Sequence, residues 1–362
     1  SAGTGPIGDV VVNEVLTRTP MDTTLDQIEL HNTTDAAIDL DGWYLSDSWG
    51  WASNPNNGNY KKFRIPDDTT IPALGYLVFD EDDFNPGRGT LPNDFALSGA
   101  HGDDVWLMEA DAGDELTRFV DHVEFGAAAE GESWGRWPSA AGDFYFYPMI
   151  RPTFDTADGA NSGPRLGQVI LSEVNYHPAI GRPDNDLEFV EIYNATGRTV
   201  DLTDWRIRGG VDYDFPAGTM LAAYSPLVVV PFELSETAKW SAFCAEYGLG
   251  VQQTAGFLGG YGGQLDNGSD RVRLQRPGVP PLDEPDFIPG LLVNQFQGND
   301  TDGFLVDADG SGPSLHRVET DTWGDTHPSW QALVPTPGQT TFVPGEDAEV
   351  VGRYVFYNRS AF

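Results

Sequence analysis

The chain contains one stretch twice. Asp26–Trp43 reads DQIELHNTTDAAIDLDGW, and Leu187–Trp205 reads LEFVEIYNATGRTVDLTDW. Glu29 and Glu191 are 162 positions apart, as are Trp43 and Trp205, while Glu14 and Glu173 are 159 apart. A period this long marks duplicated domains and not a solenoid of short units. Whatever one copy folds into, the other must fold into as well. Ile65 and Phe215 are only 150 apart, which places 12 extra residues in the Ser46–Tyr60 loop of the first copy.

Each copy reads as β-structure. DVVVNEVL (Asp9–Leu16) and QVILSEV (Gln168–Val174) are opening strands rich in β-branched residues. In Gln27–His31, Ile28 and Leu30 alternate with Gln27, Glu29 and His31, the two-residue period of a strand. Asn32-Thr-Thr-Asp and Asn194-Ala-Thr-Gly then supply turn chemistry. Val105–Glu109 and Phe119–Phe125 add strands, and Asp80–Gly89 reads as an acidic loop. The one helix signal is Ser235–Tyr247, with Ser235 as N-cap and Gly248 as stop. Trp240, Phe243, Cys244 and Tyr247 fall at i, i+3, i+4 and i+7, so Cys244, the only cysteine, is expected to pack and not to react. Thr153–Gly167 lacks periodicity and marks the boundary.

Charge narrows the partners. The net charge is −36, with lysine only at Lys61, Lys62 and Lys239. A phosphate backbone or an anionic bilayer would repel such a chain. Its self-repulsion is screened in salt, so a saline, extracellular setting is the expectation. No apolar run reaches the length of a membrane span. The chain begins SAGTG, and a leader removed ahead of Ser1 is expected.

The ordered motifs resemble one family. VVVNEV and VILSEV, the two copies of the central stretch, then FRIPDDTTIPALGYLVF and YDFPAGTMLAAYSPLVVV, are similar to the lamin-tail domain. The closing segments GESWGRWP with PTFDTADGAN, and GSGPSLHRV with PSWQALVPTPG, resemble its bacterial members. The resemblance runs to about residue 340 and is cleaner in the second copy. It implies an all-β chain of two tandem immunoglobulin-like sandwiches with one short helix in the second. The divisions implied are residues 8–163, residues 168–342, and a strand-like extension or start of a further domain at 343–362. It also implies an exported bacterial protein with no catalysis, which serves adhesion, polysaccharide or extracellular-protein binding, or spacing beside further domains of its polypeptide. The alternative expectations are a metal-dependent hydrolase with an acidic site between the modules, or a calcium-stabilised structural module.

Candidate chemistry was weighed motif by motif. Gly131-Glu-Ser-Trp-Gly135 matches a nucleophile elbow, but Arg136-Trp-Pro after it is no helix start. None of the six histidines pairs at H-x-x-x-H spacing. Asp307-Ala-Asp-Gly-Ser-Gly312 opens like a calcium loop, but its twelfth position is Val318 where a bidentate Glu is needed. Asp300, Asp302, Asp307 and Asp309 are the candidate calcium ligands; no other cofactor is expected. The repeated Glu14/Glu29 and Glu173/Glu191 pairs are expected on outward sheet faces, with Val190 and Ile192 turned to the core. Trp49, Trp51 and Tyr60, with Asn57 nearby, are the candidate ligand-binding residues, since aromatic rings beside amides suit a sugar; the favoured alternative is that the rings fold back and cap the long loop on the sandwich.

Overall fold

The computed structural model describes residues 8–17, 25–47, 59–139, 143–154, 160–179, 184–267, 269–299, 306–325, 329–340 and 342. The first module opens with β1 (Val10–Leu16), β2 (Gln27–Asn32), β3 (Ile38–Asp39), β4 (Tyr44–Ser46), β5 (Phe63–Arg64), β6 (Thr70–Ile71) and β7 (Tyr76–Asp80). After α1 (Glu81–Phe84) come β8 (Asp103–Ala110), β9 (Leu116–Phe125), β10 (Ser133–Pro138) and β11 (Phe144–Pro148). Two sheets face each other, in the orders β11-β10-β1-β2-β7 and β5-β4-β8-β9.

The second module repeats this plan with β12 (Val169–Asn175), α2 (Asp184–Leu187), β13 (Phe189–Asn194), β14 (Val200–Asp201), β15 (Arg206–Gly209), β16 (Val211–Asp214), β17 (Met220–Leu221) and β18 (Pro226–Val230). Then follow α3 (Thr237–Tyr247), β19 (Phe257–Gly259), β20 (Gly262–Gly263), β21 (Ser269–Pro277), β22 (Gly290–Asn299), β23 (Ser314–Arg317) and β24 (Trp330–Leu333). Its sheets run β19-β18-β13-β12-β23-β24 and β20-β16-β15-β21-β22. These are two tandem immunoglobulin-like β-sandwiches. Among the described residues no helix is long and apolar enough to cross a membrane.

The repeat holds at the level of backbone conformation. Gly42 (φ 72°) and Asp204 (φ 61°) stand at the same place, as do Asp68 (64°) and Gly218 (77°), and Leu74 and Tyr224 (both 50°). A left-handed residue before each tryptophan turns the chain so that Trp43 and Trp205 enter their cores. Asn32 is the hub of the turn that follows its strand. Its amide donates to the carbonyls of Ala36, Ile71 and Pro72, and its oxygen accepts from the Thr34 N–H. Asn194 does the same with Arg198, Leu221, Ala222 and Thr196.

Two expectations need correction. The acidic run at Asp80 is helical: the Asp80 side chain accepts from the Asp82 N–H, and Asp83 accepts from the Asp80 N–H. Carboxylates there satisfy the exposed donors of a helix N-terminus. Helix α3 starts at Thr237 with Glu236, not Ser235, at its N-cap, because the Glu236 carboxylate bonds the Glu233 N–H and tightens the turn ahead. Gly248 ends it at φ 68° as expected, and Trp240, Phe243 and Cys244 are buried.

The modules are welded together. Leu292 and Trp323, from the second half of the chain, belong to the first module's core, where Trp323 lies 5.1 Å from the Tyr147 ring. The Tyr147 hydroxyl donates to the buried Asp325 carboxylate. Gln297 donates to the Tyr145 hydroxyl (3.0 Å), and Arg165 bridges Glu132 (2.5 Å) and the Leu292 carbonyl (3.1 Å).

Candidate functional site

The repeated carboxylates are not outward-facing. Glu14, Glu29, Glu173 and Glu191 are at most 2% exposed. Alternation correctly turns Val190 and Ile192 into the core. It cannot show that the opposite face is covered as well. Each opening strand carries a bulge, between Val12 and Glu14 and between Leu171 and Glu173, and the bulged residue bonds the neighbouring strand's carboxylate. Asn13 donates to Glu29 (2.8 Å) and Ser172 to Glu191 (2.6 Å). The closing segments then fold across. Thr153 gives its N–H and hydroxyl to Glu14, the hydroxyl at 2.6 Å. Thr336 approaches Glu173 in the same way, and the Gly338 N–H bonds Glu191 (2.8 Å).

Burial raises the Glu14, Glu173 and Glu191 carboxyls above the ordinary glutamate range, Glu173 to about 7 and Glu191 to about 8. Desolvation leads in each, and Glu191 is also repelled by Glu173. Burial favours the protonated form of these groups, and their bonds to the closing segments make them latches.

Two serines fill matching places. Ser133, the serine of the elbow motif, lies inside strand β10 and donates to Glu14 (2.5 Å). Ser314 donates to Glu173 (2.5 Å) and lies 3.0 Å from His316 Nε2. Ser314, His316 and Glu173 superficially make a triad. Serine and glutamate, however, both meet Nε2, whereas a triad needs the acid on Nδ1. All three are buried. Burial moves Glu173 up and His316 down, so both shifts favour the neutral forms over an ion pair.

The candidate metal ligands are not brought together by the described residues. Asp300 and Asp302 lie outside them. Asp307 and Asp309 are exposed; Asp309 pairs with His177 Nδ1 (2.5 Å), and the Asp307 carbonyl accepts from Ser311 (2.5 Å). The described residues contain no group of three or more His, Cys, Asp or Glu that could hold a metal ion.

Trp49, Trp51 and Asn57 lie outside the described residues, as does 343–362. Tyr60 is placed, and it sits on the outer face of the β8–β9 pair. Its ring meets Trp106 at 5.4 Å and Phe119 at 5.2 Å. Trp106 packs on Phe119 at 5.5 Å and stacks on His122 at 3.7 Å. Val105 and Leu107, on either side of Trp106, point into the core, so alternation puts this aromatic strip outside. Phe119 remains 43% exposed.

The strip ends at a cleft of about 400 Å³ between the modules, which His122 also lines. One wall is the β15–β21 face, where Arg271, Arg273 and Gln275 share a side at two-residue spacing and Arg206 lies opposite Gln275. The other wall carries Phe144, Tyr145 and Phe146 of β11 and Arg136 of β10. Among the described residues, Glu124 is the only carboxylate lining it. An acidic site between the modules is therefore not what stands here; the cleft is cationic. The signal was present in R-V-R at 271–273, but the facing wall comes from residues more than 100 positions away.

A family model described as the lamin tail domain matches the chain twice, over residues 4–126 and 163–304. No curated protein matches it.

Proposed function

The chain belongs to the lamin tail domain family, and from that premise we propose that it is a non-catalytic, extracellular binding module whose ligand is a glycan. The observation that carries this is the strip of Tyr60, Phe119, Trp106 and His122 on the outer sheet face. A fold that needed these rings only for stability would turn them inward, yet the strip leads along the surface. Flat rings in a row suit the apolar faces of successive sugar units. The repeated carboxylates supply no competing chemistry, since Glu14, Glu173 and Glu191 are occupied by the closing segments and Glu29 by Asn13. The shared core and buried hydrogen bonds at the join between the modules also suit a spacer that holds neighbouring domains at a set distance. A glycan array followed by calorimetric titration tests the proposal. Trp106→Ala should abolish binding of any hit while thermal unfolding stays close to wild type. An array without hits, or binding unchanged in that variant, removes the reading.

A further inference from the structure

The cationic cleft is out of character for its chain. Only 20 of the 362 residues are Lys or Arg, against 56 Asp or Glu. Four of those 20, Arg136, Arg206, Arg271 and Arg273, nevertheless line one cleft with a single glutamate. Arg136 is neutralised by Asp121 (2.5 Å) and bonds the Val12 carbonyl, so its role is internal. Arg206 and Arg273 are different. Neither has an ion-pair partner among the described residues, although the chain has acids to spare. Arg206 spends its Nε on Gln275 (2.8 Å), and its guanidinium lies flat over Gly290, where any Cβ would stand 1.9 Å from Nη2. Arg273 Nε is buried with no hydrogen-bond partner.

Like charges held this close oppose one another. Burial, then Arg271, lower Arg273 to about 10, so it stays charged at neutral pH at a cost. Folding alone would favour a carboxylate here. Arg206 and Arg273 are partly desolvated and feel Asp214, Glu124 and Asp212 only from beyond salt-bridge distance; an incoming oxyanion would stabilise them, and the fork of guanidinium donors matches carboxylate and sulfate oxygens. The size falls within the roughly 300–1,000 Å³ that encloses small ligands. Across from the arginines, Phe144 is 39% exposed and presents a ring beside Tyr145 and Phe146. Gln275, whose oxygen accepts from Arg206, adds amide N–H groups able to bond hydroxyls. At the mouth His101 stacks on Phe287 at 4.0 Å, closing the rim with one residue from each module.

We propose that the intermodule cleft binds an anionic sugar unit, with its carboxylate or sulfate held by Arg206, Arg271 and Arg273 and its ring against the β11 aromatics. This rests on the glycan-binding reading and specifies it: the aromatic strip would take neighbouring sugars, and the cleft would select for charge.

The test is calorimetric titration with four probes: a galacturonate trimer, a heparin-derived tetrasaccharide, neutral maltotriose and sodium sulfate. At least one charged oligosaccharide should bind, with affinity falling as salt rises. Arg273→Ala and Arg206→Gln should each weaken it tenfold or more. Unfolding midpoints are measured beside each titration, and Arg273→Lys serves if alanine does not fold. Equal binding of maltotriose overturns the proposal, as does failure of both charged oligosaccharides. Sulfate alone binding as tightly as the oligosaccharides overturns the sugar assignment. If charged sugars bind through Trp106 but ignore the arginine substitutions, the cleft proposal falls and the glycan-binding reading stands.

Discussion

Glu173 lies directly opposite Glu191 across β12 and β13, with both carboxyls sealed under the segment that closes the second module. Their folded-state values, about 7 and about 8, exceed the ordinary 4.5 of an exposed glutamate. Below pH 4.5 the groups are protonated folded or unfolded, and their contribution to stability is complete. As pH rises the unfolded chain releases these protons first, so stability is lost until pH passes about 8. The protein should melt at a lower temperature at pH 8.5 than at pH 5, roughly the two ends of that window. Glu191→Gln should flatten the difference. Calorimetry across that range checks this, and an unaltered slope in the variant would count against the latch.

Thr153 should matter far more than its irregular segment suggests. Replacing it with valine keeps the volume and removes the hydroxyl from Glu14. A buried carboxyl that loses a donor costs about 1–3 kcal/mol. Urea unfolding should show this for Thr153→Val, whereas Thr117→Val, at an exposed site, should change little.

Asn32 and Asn194 should be interchangeable in effect. Each gives its amide to three carbonyls, so Asn→Asp removes the donors and sets a negative oxygen against them. The expected loss is about 2–4 kcal/mol in either module, a few unsatisfied polar groups' worth. Hydrogen exchange should locate it at the 32–36 turn in one variant and the 194–198 turn in the other.

Trp323 fills the core of the module to which it does not belong in sequence. Trp323→Ala should cost about 3–5 kcal/mol, as for other large buried aromatics. The chain should unfold in one transition in wild type, and the variant should split it in two. Agreement or disagreement between calorimetric and van't Hoff enthalpies decides the point.

The twofold fold is legible in the sequence because repeated strands, Asn turns and Trp positions are local or periodic. Cys244 is legible for the same reason: a helical stripe names its own buried side. Glu29 and Glu191 were misread because alternation assigns a side chain to a face but says nothing of what lies over that face. Over Glu191 the cover includes Gly338, and the same closing stretches bring Thr153 to Glu14 and Thr336 to Glu173, all without periodicity. Arg206 and Arg273 went unnoticed since an R-x-R pattern on a strand ordinarily means solvent. Only tertiary placement of Phe144–Phe146 makes a wall opposite them.

The closing segments also govern the order in which this protein can be completed during synthesis. Glu14 leaves the ribosome 139 residues before the threonine that latches it. The first core must wait longer still, for Trp323. Contacts so distant along the chain are slow to form and leave apolar strand surface uncovered meanwhile. A ribosome that stalls beyond the first module would therefore present a nascent chain with the strands of a sandwich and neither its last core residue nor an adjoining module.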